Sequence, residues 1–135
     1  MYRLGDALGV LTAVLFCFAI ANFPVKWINR RWVAKLPKGN AFRGGYQSVM
    51  KFLVKNHRFF GLGAVALMAA HVVVQLLFKW ASVTGIVTAA LGILTLALGF
   101  LLFKSRKRTP AMLWAHRGAV MALVLAFLTH VLTRI

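Results

Sequence analysis

Four runs of about twenty predominantly apolar residues fill most of this 135-residue chain. That leaves it few places to fold other than a lipid bilayer. A crossing takes ~20 residues, at ~1.5 Å each, to cover a hydrocarbon layer ~30 Å thick. The runs fall at about 5–24, 59–78, 82–103 and 113–132. With 61% hydrophobic residues, a soluble domain of this length has too little interior to hide them. The expected fold is all-α: an integral membrane four-helix bundle, up-and-down, forming a single transmembrane domain over residues 1–135. The first run has a single basic residue, Arg3, ahead of it, and no small-x-small cleavage site after it. It reads as a retained span rather than a signal peptide.

Charge sets the expected orientation. Lys and Arg number 17 against one acid, Asp6, for a net charge of +16. Fourteen of the 17 lie between the first and second runs (Lys26 to Arg58) or between the third and fourth and just inside the fourth (Lys104 to Arg117). Only Arg3, Lys79 and Arg134 are left for the other side. The positive-inside rule places the loops 25–56 and 104–112 in the cytoplasm and both termini outside, in a cell (inner) membrane. Anionic lipid headgroups suit such loops better than nucleic acid does. Trp27, Trp32 and Tyr46 fit the headgroup region, and the stripe from Tyr46 to Val54 suggests a short helix lying on the inner surface. The link at Lys79–Ala81 implies a tight hairpin, and Pro110 suits the first turn of the last helix. Cys17, the only cysteine, reads as a small packing residue. Asp6, three residues after Arg3, reads as an ion-pair or helix-start residue.

The four histidines carry the chemistry. His57 and His71 are 14 residues apart, and so are His116 and His130. In a helix, 14 residues advance ~21 Å and return to within ~40° of the starting direction. Each pair therefore projects from one face at two depths. The second and fourth spans run the same way through the membrane, which sets His57 level with His116 and His71 level with His130. Intramembrane ionisable groups are expensive and usually functional. A ligand set of imidazoles alone, without acid or thiolate, argues against catalytic zinc or a di-iron carboxylate centre. Two imidazoles facing across a gap suit six-coordinate haem iron, and saturated iron favours electron transfer over substrate chemistry. The expected cofactor is haem b, two per chain, with His57, His71, His116 and His130 as the metal ligands.

Other residues share those faces. Gly61 leaves room for a ring beside the second span's histidines. Gly85, Gly92 and Gly99 repeat every seven residues on the third span; Gly85 and Gly99 are expected to admit macrocycle edges, and Gly92 serves either that purpose or close helix packing. Gln75 and Arg134 each lie four residues beyond a histidine, facing the outer site, where Arg134 can pair with a haem propionate. Arg58 and Arg117 directly follow ligands and reach either a propionate or lipid phosphate. Gly5 and Ala19, also 14 apart, mark a weaker version of the pattern on the first span. Gly5 and Gly9 form a G-x-x-x-G that leaves a helix contact and a homodimer face both open. The segments HRFFGLGAVALMAAHV and HRGAVMALVLAFLTHV open and close alike, as an internal duplication would.

These residues resemble the four-helix di-haem core of the cytochrome b subunits in respiratory and photosynthetic quinol-oxidising complexes. His57-Arg58 followed by His71-Val72 is the closest local likeness. The resemblance implies haems between the second and fourth spans, the four histidines as axial ligands, and Arg58 as a propionate partner. Ferric-reductase-type transmembrane cytochromes are similar in spacing. The chain departs from the family in having no Pro-Glu-Trp-Tyr segment, no further helices, and no acid besides Asp6.

The expected function is transmembrane electron transfer through two bis-histidine haems stacked across the bilayer, with a redox partner protein or quinone at either end. One alternative is a membrane haem reductase acting on quinone, ferric chelate or oxygen. Another is a non-haem transporter or scaffold, disfavoured because the mid-depth residues are almost wholly apolar. An electron-transfer protein fits better than a self-contained enzyme.

Overall fold

The computed structural model describes residues 2–78 and 82–133. Among them are five α-helices: α1 (Tyr2–Ile20), α2 (Asn22–Arg31), α3 (Ala41–Phe78), α4 (Val83–Lys104) and α5 (Pro110–Leu132). A 3-10 turn, Val33–Lys35, follows α2. The stretch of α1 with α2, and each of α3, α4 and α5, is long and apolar enough to cross a membrane. The protein is an all-α, multi-pass membrane bundle. Arg134 and the Lys79–Ala81 link lie outside the described residues.

Local chemistry sets the helix ends. Pro24 has no N–H, and its ring crowds the carbonyl four residues back, which is that of Ile20. There α1 stops, and α2 begins at Asn22. Ser82 caps α4 by accepting from the Gly85 N–H at 3.1 Å. Thr109 caps α5 by accepting from the Met112 N–H at 3.3 Å, with Pro110 as the first helical residue. Each hydroxyl satisfies a donor that the first turn would otherwise leave bare.

The sides of the bundle follow chain order. α1 packs along α3, and α4 along α5. Met68 of α3 meets Gly92 of α4, where a Cβ would lie 3.0 Å from its sulfur. Phe16 of α1 meets Phe127 of α5 edge to face, with centroids 5.3 Å apart. α3 and α5 are thus diagonal partners, and their Cα atoms stay more than 8 Å apart along almost their whole length. Large apolar side chains cover the outside, Val10, Phe59, Leu77, Phe100 and Leu125 among them, as a lipid solvent permits. Cys17 also faces outward, so it is not the interior packing residue that its apolar setting suggested.

Gly92 is a tight helix-to-helix approach near mid-depth, and it answers to packing with Met68. Gly92→Leu is expected to destabilise the bundle by about 1–3 kcal/mol through overpacking. Gly92→Ala should cost much less, because the flexible thioether can give way. Denaturation in detergent micelles, followed by circular dichroism, measures the difference.

The basic segment differs from the expected surface helix. α3 is one unbroken helix of 38 residues, and Tyr46–Val54 belongs to it. Tyr46 donates its hydroxyl to the Val25 carbonyl at 3.0 Å, and the Arg43 guanidinium donates to the Leu36 carbonyl. These bonds lay α2 and the turn back along the N-terminal half of α3. The result is a two-helix stalk continuing past the basic end of the bundle. Unlike a headgroup aromatic, Tyr46 spends its hydroxyl inside this stalk.

Candidate cofactor site

All four histidines are partly buried and lie on the diagonal helices α3 and α5. Their levels follow from the antiparallel packing: His57 and His116 near the basic end, His71 and His130 near the opposite end. At the basic end the His57 and His116 rings face each other, with centroids 6.5 Å apart and planes at 86°. Two imidazoles on opposite sides of one metal ion, each bound at ~2.0 Å, place their ring centres about 6 Å apart. The observed separation fits that arrangement across an interhelical gap that the backbones leave open.

The neighbouring helices aim these rings. His57 Nδ1 bonds the Ala19 carbonyl at 3.0 Å, and His71 Nδ1 bonds the Gly5 carbonyl at 2.8 Å. A carbonyl can only accept, so each Nδ1 carries the proton and each Nε2 keeps its lone pair. Such outer hydrogen bonds fix the tautomer and orientation of a ligating imidazole. On the other side of the bundle, His130 Nδ1 pairs with the Thr84 hydroxyl at 3.1 Å. Both outer anchors, Gly5 and Thr84, lie in the first turns of α1 and α4, which sets His71 and His130 at one level. His116 differs: its Nδ1 is buried without a hydrogen-bond partner, and so is the Thr95 hydroxyl of α4.

Three of the four rings rest on a glycine. A Cβ at Gly99 would lie 3.3 Å from His116 Cε1, one at Gly85 would lie 3.1 Å from His130 Cε1, and one at Gly9 would lie 3.2 Å from His71 Cε1. The seven-residue repeat on α4 therefore does two jobs, with Gly85 and Gly99 beside imidazoles and Gly92 against Met68. Gly5 and Gly9 face α3, so their G-x-x-x-G serves a helix contact within the chain. Gly61 borders open space, with nothing within 4 Å of a Cβ placed there.

The polar candidates spread over both ends. Gln75 lies against α1, its Nε2 3.2 Å from a Cβ placed at Gly5. It therefore sits beside the anchor of His71. Arg58 stacks its guanidinium on Phe59 and on Phe103 of α4, at 4.8 and 5.2 Å. Arg117 lies over Trp114 and over Phe23 of α2, at 5.4 and 5.9 Å. Both arginines thus rim the basic end on aromatic faces.

Periodicity pointed to the glycines on α4 but not to their roles as ring supports. Gly9 drew attention only through its spacing to Gly5, although one helical turn separates it from the residue that anchors His71. Ala19 acts through its carbonyl and Thr84 through its hydroxyl, each at a helix interface. Only the 14-residue separation of Gly5 and Ala19 hinted at them.

Among the described residues, no three His, Cys, Asp or Glu side chains converge on a common point. A metal cage built from side chains alone therefore has at most two donors at each level. A ring that brings four nitrogens needs only those two. The donor set of two imidazoles per level suits such a group. No protein-family model, curated protein or solved structure matches the chain.

Proposed function

We propose that the protein carries electrons across a cell membrane through two haem b groups, one held by His57 and His116 and the other by His71 and His130. The observation that carries this reading is the facing of His57 and His116 at 6.5 Å across the bundle diagonal, each presented from a separate helix. When bound, the cofactor supplies one-electron chemistry, and the chain supplies its position and surroundings. Carbonyls on α1 hold two imidazoles as Nδ1–H tautomers. Glycines let the rings approach the neighbouring helix, and apolar side chains keep water from the middle of the bundle.

The two levels are separated by ~21 Å along the helix axis, centre to centre. That places one site in each leaflet. Met68, Phe16 and Phe127 fill the space between them. With the positive-inside rule applied, the His57–His116 level faces the cytoplasm. Arg58 and Arg117, at the basic end, would be the groups to neutralise propionates of a cofactor bound there. Donor and acceptor are supplied by redox partner proteins or by quinone.

The deciding experiment is an absorbance spectrum of the purified protein with a pyridine haemochrome assay. The expected result is low-spin b-type bands and two haems per chain. A colourless preparation from haem-replete cells, with the chain folded, would remove the basis of the proposal.

A further inference from the structure

We propose that the tip of the α2–α3 stalk is a docking surface for a soluble protein with an acidic face. The tip carries Arg30, Arg31, Lys35 and Lys38, all exposed, together with Arg43. Between residues 25 and 58 there is no Asp or Glu, and Asp6 belongs to the opposite end of the bundle. The tip therefore has no acidic side chain of its own segment to balance it.

Lipid is the obvious rival, and distance argues against it. The midpoint between His57 and His71 is Ala64, which marks the middle of the bundle. From a bilayer midplane, hydrocarbon extends ~15 Å and headgroups end at ~20–22 Å. Along α3, Val49 stands ~22 Å from Ala64 and Arg43 ~31 Å. A typical helix tilt of ~20° shortens these heights by only about a sixteenth. The Tyr46–Val25 and Arg43–Leu36 hydrogen bonds hold α2 and its turn beside this part of α3. Arg30, Arg31, Lys35 and Lys38 thus share its height.

Salt screens charge over ~8 Å at physiological ionic strength. Lower on the stalk, Lys51 at ~20 Å lies among headgroups and Lys55 at ~14 Å lies at the hydrocarbon edge, whereas the tip stands about one screening length above the headgroups. It is poorly placed to bind lipid and well placed to meet a protein. Trp32, expected in the headgroup region, stands instead at the same place, edge-on to Trp27 at 4.9 Å and 54% accessible. Arginine and tryptophan together are the residue types that dominate protein interfaces. The inference stands on charge and height, independently of the haem reading. Were both to hold, the docked protein would sit over the basic-end histidine pair.

The test uses the full chain in nanodiscs of phosphatidylcholine alone, with fluorescently labelled flavodoxin as the small acidic probe and a basic cytochrome c as the control. Flavodoxin is expected to bind, with affinity falling steeply as salt rises, and cytochrome c is not. Reversing the tip with R30E/R31E/K35E/K38E should weaken flavodoxin binding about tenfold or more. Reversing the lower pair with K51E/K55E should change it by less than about threefold.

A milder glutamine set at the four tip positions should give an intermediate loss, and circular dichroism should show unchanged helix content for every variant. In a second arm, nanodiscs contain phosphatidylglycerol at about a third of the lipid, and the lipid retained by the chain is counted by mass spectrometry. Retention should be the same with and without tip reversal. Equal weakening by both reversals, undiminished binding after tip reversal, or phosphatidylglycerol lost on tip reversal would each overturn the proposal.

Discussion

Protein purified with alanine at His116 is expected to hold one haem per chain instead of two. The substitution removes one of the two imidazoles that face each other at 6.5 Å, leaving His57 to hold a ring from one side. His57 would keep its bond to the Ala19 carbonyl, so the fold around it should persist. The far-end site draws its histidines from other turns of α3 and α5, and its anchors are Gly5 and Thr84. It should stay filled. Pyridine haemochrome stoichiometry and the remaining low-spin bands give the readout. His71→Ala should produce the complementary species, with the basic-end site retained. Two haems surviving either substitution would refute the ligand assignment, and none surviving would mean that the sites fold as one unit.

The second large effect is expected from Gly9→Val. A Cβ at Gly9 already lies 3.2 Å from His71 Cε1 and 3.4 Å from Nδ1. Valine adds two methyl groups at that point, and its stiff side chain has little freedom to turn away inside a helix. The His71 ring must then swing out, breaking its 2.8 Å bond to the Gly5 carbonyl. The expected outcome resembles His71→Ala: the far-end haem lost or shifted to a high-spin spectrum, and the basic-end haem unchanged. Gly118→Val is the matched control, since the residue is exposed and a Cβ there meets nothing within 4 Å, and it should leave both sites occupied. Haem content and spin state, measured on both variants after purification in one detergent, decide the matter. Equal behaviour of the two variants would separate Gly9 from the ring it touches.

The presence of four spans was readable because bilayer thickness imposes a length that hydropathy reports directly, whereas the helix ends were not: α1 stops at Ile20 and α3 starts at Ala41. Pro110 and Ser82 behave as their chemistry predicts, one as a first helical residue and the other as a capping hydroxyl. Histidine levels also followed from sequence, since equal spacing on two parallel spans has one consequence for depth. The stalk was not legible. An apolar stripe at Tyr46–Val54 looks the same whether it lies on lipid or against another helix, and only the Tyr46–Val25 bond distinguishes the two. Anchoring of the imidazoles escaped for a related reason. Ala19 and Gly5 contribute backbone oxygens, which no side-chain pattern advertises. The difference between Gly85 and Gly92, equal in spacing, lies in whether a histidine or Met68 occupies the facing position.

Each anchored imidazole is braced by the helix that pairs with its own: α1 steadies the two on α3, and α4 steadies His130 on α5. The molecule is thus two half-shells, each of which sets its own jaw without help from the other. For biogenesis this means the gripping groups can be pointed before the halves come together. A flat prosthetic group can then be enclosed as they close, with no late refolding of either half.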